Sequence, residues 1–249
     1  MGKKTRLDKI STDPTEKITE QEAAVKNIRL IEKLSNIQNR LYAQRKYAVL
    51  IVLQGMDAAG KDSAVQKVFS GVNPAGCRVK AFKVPTEEEA AHHFLWRINR
   101  ECPEKGFIQI FNRSHYEDIL VPTVNKTMDK HAVKDRMEEI NYFEKGLVRE
   151  NTIVMKFYLH VSHAEQLRRL QDRKTDAHKR WKYQKEDIHA ISQHDKFKKV
   201  YETIFENCSE GAPWQIIPAD KKWYKNYKIL KEIVKTLEEY DIDYPKIKF

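Results

Sequence analysis

An α/β fold, with a parallel sheet covered by helices on both faces, is what this 249-residue sequence predicts. Three observations carry that expectation. Five short runs of β-branched and aliphatic residues are continuously apolar rather than alternating, as strands buried on both faces require. Stretches with helical spacing of apolar residues separate these runs, which is the alternation that βαβ units produce. The first run, Tyr47 to Gln54, empties into Gly55-x-x-x-x-Gly60-Lys61, with helix-like sequence from Ala64 to Phe69 behind it. That order is strand, phosphate loop, helix.

Taken in order, residues 1–18 are polar and charged, include Pro14, and read as a loose basic arm. Thr19-Glu20-Gln21-Glu22 has the capping-box pattern, in which a hydroxyl and a carboxylate satisfy the free N–H groups of a first turn. A helix is expected over 19–46, with Leu30, Leu34, Ile37 and Leu41 at helical spacing on one face. The strand 47–54 and a helix over 61–71 follow, then the turn Asn73-Pro74-Ala75-Gly76. Arg78 to Val84 reads as a second strand that stops at Pro85, and Thr86 opens a helix to about Asn99. Gly106 to Phe111 is a third strand, and a helix is expected from about Ala132 to Arg149. Thr152 to Leu159 is a fourth strand, with helices over Ala164–Arg173 and near Ile188–Cys208. Pro213 to Pro218 is a short fifth strand, and a last helix runs from about Trp223 to Tyr240. The sequence has no internal repeat and no low-complexity linker, so residues 1–249 read as one domain.

Composition bounds the function. Hydrophobic residues make up 41% and charged residues 33%, which suits a soluble globular chain. No apolar run approaches the roughly 18 residues of a membrane span, and no apolar stretch follows the basic N-terminus, so neither a membrane partner nor a secretory leader is expected. Cys77, Cys102 and Cys208 lie far apart without metal spacing, which fits a reduced, cytoplasmic setting. The 46 Lys and Arg exceed the 36 Asp and Glu, a net charge of +10 that suggests a polyanionic partner.

The loop from Gly55 to Ser63 is the predicted anion site. Its expected phosphate-binding residues are Gly55, Met56, Ala58, Ala59, Gly60, Lys61, Asp62 and Ser63, since turned backbone N–H groups, a helix N-terminus and a lysine suit phosphate. Asp62 stands where such loops carry Ser or Thr, and Asp57 lies inside the loop. Carboxylates beside phosphates repel them unless a cation lies between. The loop is therefore read as holding phosphate and metal together, although Asp62 also suits a helix N-terminus as a dipole-complementing acid.

Ligands of parallel sheets bind at the carboxyl ends of the strands. The end of the third strand concentrates Asn112, Arg113, His115, Glu117 and Asp118, which read either as further site residues or as a solvated, capped turn. Lys83, just before Pro85, is placed to reach the crevice or to sit on an edge strand. From Arg168 to Lys185, eight bases stand against Asp172 and Asp176, with Trp181 and Tyr183 interleaved. A solvated helix face carries such a composition harmlessly; behind a phosphate-loop core it also suits a lid over about 168–190 that closes on transferred phosphate. The adjacent His92 and His93 would point about 100° apart on a helix, and His160 and His163 lack acidic or cysteine partners, so no histidine is assigned a metal.

The residues Gly55-Met56-Asp57-Ala58-Ala59-Gly60-Lys61-Asp62, Lys83-Val84-Pro85-Thr86-Glu87-Glu88 and Phe94-Leu95-Trp96-Arg97 occur here in order. They continue with Phe111-Asn112-Arg113-Ser114-His115-Tyr116-Glu117-Asp118, the basic segment, Ala212-Pro213-Trp214 and Pro218-Ala219-Asp220-Lys221-Lys222. Over residues 30–235 this set resembles the polyphosphate kinase 2 family. The resemblance implies a thymidylate-kinase-like P-loop kinase: a three-layer α/β/α fold with a five-stranded parallel sheet and a helical lid. It also implies reversible phosphoryl transfer from inorganic polyphosphate to nucleoside mono- and diphosphates, with Mg²⁺ or Mn²⁺. Asp57, Lys61, Arg113, Glu117, Arg169 and Arg173 are then the expected catalytic residues, and Asp57, Asp62 and Glu117 the metal ligands. Lys83, Asn112, Lys174 and Lys182 would line the polyphosphate and nucleotide groove.

Many nucleoside-diphosphate-using members of the family carry Asp where this chain has Asn112, so no metal-binding Asp is carried over to that position. The run from Asn112 to Asp118 is similar to the class III group, which phosphorylates both AMP and ADP. The implied partners are polyphosphate, adenine or guanine nucleotides and a second copy of the chain in a dimer or tetramer, without nucleic acid or membrane. Two rivals remain: an ATP-dependent nucleoside monophosphate kinase, and a P-loop protein that binds nucleic acid without turnover.

Overall fold

Every residue of β1 (Ala48–Gly55) is buried, as happens when a strand lies mid-sheet with both faces covered. The computed structural model describes residues 4–178, 180–182 and 191–246, and of Lys182 the backbone only. The other strands are β2 (Cys77–Ala81), β3 (Ile108–Asn112), β4 (Thr152–His160) and β5 (Trp214–Pro218). All pairings are parallel, in the order β2-β3-β1-β4-β5. Leu53 is level with Asn112, Ala81 with Asn112, and Gly55 with Leu159, so the carboxyl ends share one edge of the sheet. The chain leaves β1 for β2 on one side and leaves β3 for β4 on the other. The switch point, where such sheets bind ligands, thus falls between β1 and β3.

The helices are α1 (Glu20–Gln44), α2 (Lys61–Val68), α3 (Glu87–Ala91), α4 (Trp96–Asn99), α5 (Glu117–Val124), α6 (Lys130–Arg149), α7 (His163–Thr175), α8 (His194–Asn207) and α9 (Lys222–Glu238). In one layer α9 packs against α1 and α2, and in the other α5, α6 and α8 pack together. The Thr19–Glu22 capping box that starts α1 is formed, and Leu34, Ile37 and Leu41 are buried against the core. No helix among the described residues is long and apolar enough to cross a membrane.

Four features differ from the sequence expectation. The second strand stops at Ala81, not Val84, because the Lys83 carbonyl accepts from Arg97 Nη1 (2.9 Å) instead of a strand neighbour. Lys83 and Val84 are consequently exposed. The helix expected from Thr86 to Asn99 is two short helices, broken where His92 adopts extended backbone. The helix α5, with Pro122 inside it, was not anticipated; it forms because Ile119, Leu120 and Val124 face the core.

The described part of the N-terminal arm is not loose. Leu7 is buried and its N–H donates to Glu202, Thr12 bonds the Asp220 carboxylate, and Glu16 pairs with Lys228 and Lys231. One apolar anchor and these four polar contacts tie down a segment whose composition alone reads as a free tail.

Candidate active site

The phosphate loop turns where only small residues fit. Gly55 has φ +153°, and a Cβ there would stand 3.0 Å from the Leu159 carbonyl oxygen of the neighbouring strand. Gly60 has φ +92°, and Ala58 between them also lies in the left-handed region at φ 62°. That strain persists because every carbonyl from Gly55 to Gly60 accepts from a side chain. Lys61 Nζ donates to Gly55 O (2.6 Å) and Met56 O (3.2 Å), and Gln166 Nε2 to Asp57 O (3.0 Å). Arg169 Nη1 donates to Ala58 O (2.9 Å) and Ala59 O (3.1 Å), and Lys225 Nζ to Gly60 O (2.6 Å). In a trans peptide the carbonyl and the next N–H point in opposite directions. Fixing the Ala59 and Gly60 carbonyls toward α7 and α9 therefore turns the N–H groups of Gly60 and Lys61 away from those helices.

The loop is stapled to the end of β3. Arg113 Nη2 donates to Asp57 Oδ1 at 2.7 Å, and Asn112 Nδ2 donates to Asp62 Oδ1 at 2.7 Å. Arg113 takes the left-handed conformation (φ 64°), which costs a non-glycine residue about 1–3 kcal/mol, and its N–H is held by Leu53 O at 3.1 Å. This twist brings the guanidinium to Asp57 and to within 3.8 Å of Glu117 Oε2. With its amide oriented to fit the surrounding donors, buried Gln54 donates to Glu117 Oε1 (3.1 Å) and accepts from Ser114. Gly55, Met56, Asp57, Arg113, Glu117 and Tyr201 line part of a cavity of about 90 Å³ beside the loop.

Charge is concentrated and poorly solvated here. Burial, reinforced by the Arg113 charge, lowers the Lys61 pKa to about 8, although Asp57, Glu117 and Asp62 pull it back up. Lys225 is lowered to about 7 by burial and by Arg169 and Lys222. Burial raises Glu117 above the usual carboxylate range, against the opposing pull of Arg113 and Lys61.

Asp57, Lys61, Arg113, Glu117, Asp62 and Asn112 thus meet at the switch point. Other sequence-selected residues do not join them as expected. Arg169 was expected to stabilise transferred charge from the lid. Its Nε bonds Glu165 (2.7 Å), Nη1 the two loop carbonyls, and Nη2 Ala219 O (2.6 Å) and Asp220 O (3.0 Å), so its N–H donors are all spent inside the protein. Its geometry is that of a clamp on the loop. Arg173 and Lys174 occupy the last turn of α7, and Lys83 is exposed beyond β2. The side chain of Lys182, and residues 179 and 183–190 of the segment expected to form a lid, lie outside the described residues. Among those residues no three His, Cys, Asp or Glu side chains form a ready-made metal cage.

A second buried cluster lies under the strand-end motif. Lys156 Nζ donates to Glu144 Oε2 (2.5 Å), Tyr116 OH (2.8 Å) and Cys208 O (2.8 Å), and Tyr116 OH donates to Glu144 Oε1 (2.8 Å). His115 Nε2 lies 3.2 Å from the same Oε1. Burial would raise Glu144, but the Lys156 charge and the His115 bond outweigh it and hold its pKa low. Sequence reasoning missed this cluster, Gln166 and Lys225, since nothing in local spacing pairs positions 12, 40 or 165 residues apart.

A phosphate loop at the switch point of a parallel sheet, backed by buried cations and faced by loop carboxylates, places the chain among the P-loop kinases. Its sequence goes further. The family model of polyphosphate kinase 2 matches residues 17–245, and the chain belongs to that family. The "AMP/ADP-polyphosphate phosphotransferase" of Meiothermus ruber is 44% identical over 218 residues, covering 87% of this chain and 82% of the relative. The "ADP-polyphosphate phosphotransferase" of Rhodopseudomonas palustris is 37% identical, covering 87% and 79%. The crystal structure of polyphosphate kinase 2 from Arthrobacter aurescens superposes with a TM-score of 0.96 at 32% identity, covering 100% of this chain and 90% of that one. The protein is a phosphotransferase, a polyphosphate kinase.

Proposed function

We propose that this polyphosphate kinase passes the terminal phosphoryl group of inorganic polyphosphate to AMP and to ADP, reversibly and with Mg²⁺. The observation that carries the acceptor reading is the Asn112–Asp62 bond (2.7 Å), which puts an amide where an acid would stand at the third strand end. It occurs in a chain 44% identical to an enzyme named for both acceptors.

The attacking phosphate oxygen is already anionic at neutral pH, so transfer needs no strong general base. The obstacle is repulsion between two polyanions whose ends must be brought in line. Lys61 and Arg113 supply positive charge at that point, and Arg173, Lys174 and Lys83 extend it toward the rest of a phosphate chain. The loop residues from Gly55 to Ser63 cradle the donor's end. Asp57 and Asp62, with Glu117 nearby, offer hard oxygen donors, and Mg²⁺ is held well by one or two carboxylates plus substrate phosphates. Mn²⁺ suits the same donors. The metal would neutralise charge between the phosphates. Further copies of the chain, in a dimer or tetramer, complete the reading.

The test supplies the protein, Mg²⁺ and AMP with either polyphosphate or ATP and follows ADP and ATP by chromatography. ADP and then ATP from polyphosphate is the expected result. ADP formed only from ATP would make the protein an ATP-dependent monophosphate kinase. Repeating the assay with GMP and GDP reads base selectivity.

A further inference from the structure

Lys225, in the first turn of α9, buries its ammonium completely against the back of the phosphate loop. Nζ donates to Gly60 O at 2.6 Å and to Ser63 Oγ at 2.9 Å, both neutral oxygens. Gly60 is fitted to this approach: a Cβ there would stand 2.6 Å from Nζ. An ammonium buried on neutral partners destabilises a fold. The surrounding charge adds to the cost, because Arg169, Lys61 and Lys222 are positive and Asp62 opposes them.

Nor do the two acceptors depend on the lysine. Gly60 O also receives the Ala64 N–H (3.1 Å), and Ser63 Oγ donates to Gly60 O at 2.9 Å. A methionine in place of Lys225 would fill the same volume, orphan neither oxygen and remove the desolvation penalty. Packing therefore gives no reason for the charge, whereas a polyanion at the loop does.

We propose that Lys225 is a positioning residue for phosphoryl transfer: it clamps the turn from Gly60 to Ser63 at the start of α2 and adds positive potential behind the bound phosphates. The proposal rests on the loop being the polyphosphate site. Losing the clamp lets the N–H groups of Gly60 and Lys61 drift from the donor's end, and small misplacements of this kind cost up to about 100-fold in rate.

The test compares the wild-type chain with Lys225→Met and Lys225→Arg. It uses calorimetric binding of tripolyphosphate with Mg²⁺, steady-state transfer from polyphosphate to AMP, and thermal unfolding. For Lys225→Met, a roughly 10- to 100-fold lower kcat/KM for polyphosphate is expected, with weaker tripolyphosphate binding and an equal or higher Tm. Lys225→Arg should recover most of both losses. Wild-type binding and kcat/KM in Lys225→Met would overturn the proposal. So would an equal loss in both variants that simply tracks a lowered Tm, which would mean packing alone. If the wild type binds tripolyphosphate but transfers nothing to AMP, the acceptor reading fails, and the calorimetric comparison still decides Lys225.

Discussion

Lys156 and Lys225 are both fully buried, and the difference between their surroundings separates what this molecule needs to fold from what it needs to act. Lys156 has a carboxylate at 2.5 Å, and the pair sits inside a closed set of hydrogen bonds with Tyr116, His115 and the Cys208 carbonyl. Its charge is compensated within the protein. Lys225 has two neutral oxygens and the like charges of Arg169, Lys222 and Lys61, which Asp62 only partly opposes, and burial lowers its pKa to about 7. The first arrangement anchors the turn that carries Arg113 and Glu117 to the underlying helix α6. The second leaves positive charge uncompensated beside a loop built for anions. A buried charge with a partner is structural, and one without a partner points to a ligand.

Breaking the compensated pair should have the largest effect. Lys156→Met leaves Glu144 buried without its counter-charge and is expected to cost about 3–5 kcal/mol of stability, seen as a large fall in the urea midpoint or in Tm. A Tm within a degree of wild type would mean that Glu144 takes up a proton at little cost, and the contrast with Lys225 would collapse. Lys61→Ala acts on the other side of the comparison. It should lower polyphosphate-driven ADP formation by about 10²–10³ while the chain still folds and unfolds in one cooperative transition. Near-normal turnover in that variant would remove Lys61 from the transfer step.

The sheet was legible because its strands are continuous apolar runs and its loop spells the glycine and lysine spacing in order. The start of α1 was legible for a similar reason, since Thr19 and Glu22 satisfy each other's backbone within one turn. Contacts that decide the site's electrostatics were not. Lys225 reaches Gly60 across 165 positions, and Arg169 reaches Ala58 across 111. Sequence spacing assigns Arg169 to a lid because it stands among other bases; only the folded chain shows its guanidinium turned onto the loop carbonyls. Leu7 makes the same point for the arm, where one buried side chain outweighs a polar neighbourhood. The end of β2 depended on Arg97, 14 residues beyond the carbonyl it takes from the ladder.

The smallest expected effect concerns pH and isolates the charge on Lys225. Its folded pKa is lowered to about 7 by burial, below the unfolded lysine value of roughly 10.4. Between these values the unfolded chain binds a proton at this position that the folded chain does not, so stability from this group rises with pH across that window. The contribution is complete above the unfolded pKa and is lost as pH falls through about 7. Methionine has no proton to lose, and the remaining titrating groups are common to both proteins. Lys225→Met should therefore have a higher Tm than wild type at pH 6. That gap should close steadily as the pH is raised toward 10. Polyphosphate affinity should weaken with rising pH more in the wild type than in Lys225→Met, because the Lys61 ammonium, lowered to about 8, titrates in both. A gap in Tm that stays constant with pH would place the difference between the variants in packing, and the distinction drawn between the two buried lysines would lose its electrostatic basis.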